Sequence, residues 1–159
     1  MSPDVFRTLE GSLVEKHQGI ERLVALAEEN RDALIAHDVD AIIRINEQQT
    51  DELSRLDRLQ RASTRLLARL ASALGVEGEG VCLSAVAARL PDEQRTRLEQ
   101  LSSVLTEGAS RLAAISEANA MLSANALEFI RITLSAVSDV SSADAERPAN
   151  GSLVLDAQV

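Results

Sequence analysis

Two apolar rows recurring every seven residues between about Pro91 and Ser138 constrain this chain more than any other feature. One row is Leu98, Leu105, Leu112, Asn119, Ala126 and Thr133, and its companion is Leu101, Gly108, Ile115, Leu122, Phe129 and Ala136. Seven residues are close to two helical turns, so both rows fall on one side of a helix and form the seam of a coiled coil or bundle. At 1.5 Å per residue such a helix reaches about 70 Å. It cannot bury its stripe against itself, so other helices must cover it. Pro91-Asp92-Glu93 reads as its start, with proline at the first helical position and two carboxylates in the first turn.

The upstream chain supplies those covering helices. Phe6, Leu13, Ile20, Ala27 and Leu34 recur every seven residues, and Leu9, Leu23 and Val24 widen the stripe. This predicts a helix over 3–36, with Ser2 as N-cap, Pro3 at its first position and Asp4 beside the positive end of the dipole. His37-Asp38-Val39-Asp40 interrupts the pattern, and Asp38 can cap a second helix over 39–74. Its stripe is Ile42, Ile45, Leu53, Leu56, Leu59, Leu66, Leu67, Leu70 and Leu74, and Gly75 suits the left-handed residue that ends it. A connection this short favours antiparallel neighbours, so the interruption reads as a turn. Residues 75–80 hold three glycines and read as a loop, 83–90 as a short helix and 91–138 as the long one. Past Ser138 the pattern ends, and 141–159 has the small, polar composition of a flexible tail, closed by Leu153-Val154-Leu155. The expected fold is all-α: an elongated antiparallel helical hairpin or three-helix coiled-coil bundle over 1–140, with a short extra helix and a C-terminal tail.

Composition agrees and removes several functions. The 45% apolar share comes almost entirely from aliphatic side chains, Trp and Tyr are absent, and only Phe6 and Phe129 supply rings. Nucleic-acid binding draws on cations set against phosphate and on stacking platforms. A chain of net charge −9 with two rings is not built for it, nor for anionic membranes. No apolar run approaches the roughly 20 residues of a membrane span, and Met1-Ser2-Pro3-Asp4 lacks the basic-then-apolar order of a signal peptide. A single cysteine, Cys82, cannot form an internal disulfide. Together these features point to the cytoplasm.

No catalytic, cofactor or metal site is expected. His17 and His37 stand twenty residues apart, and neither has a glutamate three residues before it as di-metal bundles use. Both read as exposed polar residues. Cys82 opens a possible helix, which can lower a thiol pKa, but no base or oxyanion site accompanies it. It reads as a small buried apolar residue. Gly78-Glu79-Gly80 lacks the Lys-Ser/Thr of a phosphate loop. A histidine phosphotransfer domain pairs its histidine with a downstream Lys-Gly, whereas here Lys16 precedes His17 and Gly19 follows without a lysine. Glu52 with Arg55 and Glu93 with Arg97 have the spacing of ordinary exposed helix pairs, each contributing at most about 1 kcal/mol.

Asn119 breaks the apolar row, and Asn125 stands beside that row's Ala126. A polar residue in such a row sets register or oligomeric state, or it marks where the bundle opens to a partner. The segment Leu112-Ala-Ala-Ile-Ser-Glu-Ala-Asn119-Ala-Met-Leu122 resembles the leucine–polar–asparagine–leucine region of the FlgN family of flagellar export chaperones. The layout is similar too: an N-terminal helix, a second helix ending Arg65-Leu-Leu-Ala-Arg-Leu70-Ala-Ser-Ala-Leu-Gly75, a loop, a long third helix and a tail with an Asn150-Gly151 turn. The resemblance covers most of 5–155. It implies a cytoplasmic type III export chaperone that binds the terminal helices of hook-associated proteins, prevents premature assembly and delivers them to the export gate. Some members carry a tyrosine implicated in gate docking; this chain has none, so that contact does not carry over.

An amphipathic client helix laid on an apolar helical stripe is an established mode of recognition. The expected contact set is Asn119, Leu122, Ala126, Phe129, Ile130, Thr133 and Val137, with Ile132 and Leu134 outside that stripe. Asn125, Glu128, Arg131 and Ser135 make one polar strip, and the remaining circumference is broader than a two-helix seam needs. The same residues suit burial by the first helix or by a second copy. A structural coiled-coil or oligomerisation module without a client, and a homo-oligomer, therefore remain open.

Overall fold

The computed structural model describes residues 3–76 and 81–145. Its elements are α1 (Pro3–Ala36), α2 (Val39–Ala73), α3 (Leu83–Ala87) and α4 (Asp92–Ala145). The chain divides into two units, residues 1–122 and 123–159, and α4 contributes to each. The Ser2 cap, Gly78-Glu79-Gly80, and the tail from 146 with its Asn150-Gly151 turn and Leu153-Val154-Leu155 lie outside the described residues.

In the first unit the contacts set the helix directions. Ser12 and Ser63 hydroxyls meet at 2.8 Å, Lys16 donates to Gln60, Arg22 reaches Glu52 at 2.8 Å, and Arg44 reaches Glu29 at 2.8 Å. Partners on α2 fall in number as those on α1 rise, so the two helices are antiparallel. Against α4 the order is the same on both sides: Glu10 with Arg97 at 3.5 Å, Glu21 with Arg111, and Ala27 with Asn119. Helices α1 and α4 are therefore parallel, and α2 runs against both.

The α1–α2 connection is a turn of two residues. His37 has φ 56°. Its N–H donates to the Leu34 carbonyl at 3.3 Å, and the Asp38 N–H donates to that of Ala33 at 3.0 Å. This paired arrangement closes the end of α1. Asp38 then accepts the Ala41 N–H at 3.0 Å as the N-cap of α2, so one dipeptide finishes one helix and starts the next. A left-handed histidine costs roughly 1–2 kcal/mol relative to the right-handed region, which the cap and the hairpin packing offset. At the far end of α2, Gly75 has φ 67° and the same bond pair recurs, Gly75 to Ser72 at 3.2 Å and Val76 to Ala71 at 2.9 Å.

The core lies where the start of α1, the end of α2, α3 and the start of α4 converge. Phe6, Leu9, Leu13, Leu70, Ala71, Val86, Leu90 and Leu98 form one buried cluster there. Helix α3 ends at Ala87, short of the expected 90. The Arg89 and Leu90 amides turn back to the carbonyls of Val86 and Ala87 at 3.0 Å, a tighter turn that brings Leu90 into the core before Pro91 stops the chain. Pro91 sits one position earlier than expected, at the N-cap, its carbonyl accepting the Arg95 N–H at 2.9 Å. Helix α4 outlasts its apolar rows, running to Ala145 rather than 138, because residues 139–145 contain no glycine or proline to end it.

Leu53 does not belong to the buried stripe of α2; it is 55% exposed. Stepping from Ile45 at helical spacing lands on Gln49, Glu52, Leu56, Leu59, Ser63, Leu66 and Leu70, so the inner face includes polar residues. Ser63 is satisfied by Ser12 and by the Leu59 carbonyl, each at 2.8 Å. Glu52 fits because α1 presents Gly19: a Cβ there would stand 2.8 Å from the carboxylate and 2.6 Å from Leu56 Cδ2. Gly108 of α4 plays the same part against α1, where a Cβ would stand 3.0 Å from Ile20 Cγ2.

Gly11 faces open space, so Gly11→Ala should stabilise the fold by about 0.5–1 kcal/mol through helix propensity. Gly19→Ala gains the same propensity but overpacks the seam by about 1–3 kcal/mol, so it should destabilise on balance. Urea unfolding of the two variants should give midpoint shifts of opposite sign; equal upward shifts would contradict the close approach.

Candidate partner-binding surface

Within the first unit, Asn119 is 7% exposed and its Nδ2 donates to the Ala27 carbonyl of α1 at 2.8 Å. The polar member of the apolar row is thus fastened into the α1–α4 seam, about three turns of α4 beyond the close contact of Gly108 with Ile20. Leu122 is half-buried.

The second unit is described through its α4 segment. Ala126 is half-buried there, while Phe129 is 71% and Ile130 51% exposed. Thr133 and Val137 lie on the same helix, but their side chains fall outside the described residues. Leu127, Ile132 and Leu134 are exposed by 68%, 58% and 62%. At 100° per residue, Leu127, Ile130 and Leu134 form one line (i, i+3, i+7), and Phe129 with Ile132 forms another. Leu127 was absent from the expected contact set, and Ile132 and Leu134 had been placed outside the stripe. All three sit off the heptad rows, so only a reading of the full helical circumference finds them. The polar strip between them is closed on itself: Arg131 donates to both oxygens of Glu128, at 3.0 and 2.9 Å. Those hydrogen bonds hold the Glu128 carboxyl below the usual range and raise Arg131.

The family described as FlgN protein matches residues 1–147. The chain belongs to the FlgN family. It is accordingly a cytoplasmic flagellar export chaperone whose clients are hook-associated proteins, and not an enzyme. No curated protein and no solved structure matches it.

The residues weighed for chemistry take ordinary places in this FlgN-family fold. His17 is half-buried rather than exposed, four residues after Leu13 and three before Ile20 on the inner side of α1, with Nδ1 enclosed. His37 is exposed in the hairpin turn, roughly 30 Å away along the helix. Among the described residues no group of three or more His, Cys, Asp or Glu could hold a metal ion, and no helix is long and apolar enough to cross a membrane. Cys82 is exposed, not buried. It occupies the N-cap of α3, outside the buried face that begins with Val86, and a hydrogen bond with the Ser84 hydroxyl at 3.1 Å lowers its thiol pKa from the ordinary 9.0.

The strongest electrostatic feature of this unit is Glu52. Arg22 of α1 grips both its oxygens, at 3.1 and 2.8 Å, and Arg55 adds a contact at 3.3 Å. Glu52 is only 13% exposed, so its pair with Arg55 is part of an interhelical cluster rather than an isolated surface pair. The Arg22 hydrogen bonds, followed by its charge and that of Arg55, outweigh desolvation and hold the carboxyl below its ordinary 4.5. Because the folded value is depressed, the stabilisation is present above pH 4.5 and lost as pH falls through the folded value. Arg22 is itself partly exposed and screened, so Glu52→Gln should cost about 1 kcal/mol at pH 7. Denaturant unfolding should show that difference shrinking as the pH is lowered below 4.5. A penalty independent of pH would remove the ionic role.

Proposed function

We propose that the α4 segment of the second unit is where this chaperone holds the assembly-prone terminal helices of its hook-associated clients before handing them to the export gate. One observation carries this reading: five large apolar side chains, Leu127, Phe129, Ile130, Ile132 and Leu134, each stand more than half exposed within eight residues. Contiguous apolar surface of this kind marks interaction sites far more often than it is left in water. Asn119 is occupied by the α1 seam and Leu122 is half-buried in the first unit. The proposed contact set is therefore Ala126, Phe129, Ile130, Thr133 and Val137, joined by Leu127, Ile132 and Leu134.

The arrangement favours helical clients. Between the lines of Leu127 and Phe129 the apolar arc spans about 160°, against the roughly 100° stripe of a helix packed on one neighbour. Such a helix accepts more than one client helix, or one that wraps. The neutralised Glu128–Arg131 pair leaves the contact mainly hydrophobic, so binding should show a negative heat-capacity change and weak salt dependence.

Burying an aromatic or branched side chain contributes about 1.5–3 kcal/mol, equivalent to roughly 10- to 100-fold in affinity. Phe129→Ser and Ile130→Asp should each weaken binding of a hook-associated terminal segment by that factor in calorimetric titration. Both positions are exposed, so circular dichroism and unfolding midpoint should stay unchanged. Ile43→Ser, on the first unit, should leave affinity intact. Unaltered affinity in the Phe129 and Ile130 variants would sink this surface. If those substitutions instead dissolved a self-assembled form and left client binding intact, the oligomerisation module would be the better description.

A further inference from the structure

Among the described residues, five arginines cross the helix seams of the first unit, and each meets a carboxylate. Arg22, Arg44 and Arg55 join α1 to α2 through Glu52, Glu29 and Glu15, and Arg97 and Arg111 join α4 to α1 through Glu10 and Glu21. Lys16, the one lysine of the chain, is the exception. It also reaches from α1 to α2, but its partner is the neutral amide oxygen of Gln60, which engages one of its three N–H donors. Lys16 is half-buried, and burial pushes its ammonium below the ordinary 10.5. A cation drawn partly out of water without a counter-charge is costly. Acids outnumber bases 25 to 16 in this chain, so the missing partner is not for want of carboxylates.

Lys16 lines a cavity of about 200 Å³ bounded by α1, α2 and α4, with Leu83 of α3 at its edge. Most hydroxyls there are already used. Ser63 is held by Ser12 and the Leu59 carbonyl, while Thr64 and Thr106 donate to the Gln60 and Ser102 carbonyls of their own helices at 2.9 and 2.8 Å. The half-buried Ser102 hydroxyl has no protein partner among the described residues. Leu9, Leu13, Leu67 and Leu105 supply the apolar wall. At roughly 30 Å³ for a water-sized group, the space admits about six or seven non-hydrogen atoms. A helix, about 10 Å across, is far too large.

We propose that this cavity binds a short aliphatic carboxylate, its oxygens on the Lys16 ammonium and the Ser102 hydroxyl and its carbon chain against the four leucines. A neutral amide or alcohol leaves the lysine charge uncompensated. A doubly charged phosphate loses more hydration against leucine than one ammonium returns. A singly charged group with an apolar tail satisfies both halves of the cavity. The site lies wholly in the first unit, and no residue assigned to client binding takes part.

With one lysine in the chain, selective carbon-13 labelling of lysine gives a single Cε signal that reports on the site. Butyrate should shift that signal saturably and raise the pH at which it titrates, since a carboxylate beside an ammonium favours the charged form. Butyramide, its neutral counterpart, should do neither. Lys16→Met keeps an apolar stem without the charge. Followed on leucine methyl signals, it should weaken butyrate binding by roughly tenfold or more, and Ser102→Ala by roughly threefold to tenfold. Circular dichroism checks that both variants are folded. The α-amide of N-acetylglutamate presents the same group as a protein side chain does. Tighter binding than butyrate would assign the site to an acidic side chain of a partner, and weaker binding to a free acid. A Lys16 signal that responds no more to butyrate than to chloride at equal ionic strength would overturn the proposal. So would butyrate binding that survives Lys16→Met or is matched by butyramide.

Discussion

The first unit depends on one close approach. Ile20 of α1 packs against Gly108 of α4, and beside it Gly19 lets α2 come near enough for Leu56 and Glu52 to fill the space a side chain would occupy. Two glycines on two helices, next to one branched residue, set the spacing of all three. The alternation of caps follows from it. Helices packed this closely need sharp ends, and the His37-Asp38 dipeptide supplies them by closing α1 and capping α2 in consecutive residues. Histidine rather than glycine in the left-handed position is tolerated because the hairpin on either side over-determines it.

That spacing also explains where polarity enters the seam. Glu52 lies inside because Gly19 makes room and Arg22 neutralises it, and Asn119 lies inside because the Ala27 carbonyl takes its amide. The two units differ in how they treat their apolar residues. One satisfies its apolar rows internally. The other presents Leu127, Phe129, Ile130, Ile132 and Leu134 to solvent.

Much of this was legible in the chain. The heptad rows gave three long helices, Asp38 and Gly75 marked their ends, and the leucine–asparagine–leucine segment with the surrounding layout pointed to the FlgN family. Misreadings fell where residue type and helical phase disagreed. Leu53 is apolar but out of phase and faces water, while Glu52 is charged but in phase and faces the seam. Cys82 has the habits of a buried residue, yet its place at a helix N-cap turns it outward. His17 is polar but in step with Leu13 and Ile20, and is half-covered.

Periodicity, caps and breakers are local properties, and by themselves they determined that the chain is helical, where α1 and α2 turn, and which family it resembles. Which in-phase positions are covered, and by which neighbour, is a property of three helices at once. Only the tertiary structure decided that Asn119 is fastened to Ala27, and that the apolar residues of 127–134 are exposed rather than part of a seam. The opening rows of the long helix look uniform along their length because a heptad pattern records which side chains can be buried. Burial itself requires a partner, and the rows do not say where the partner stops.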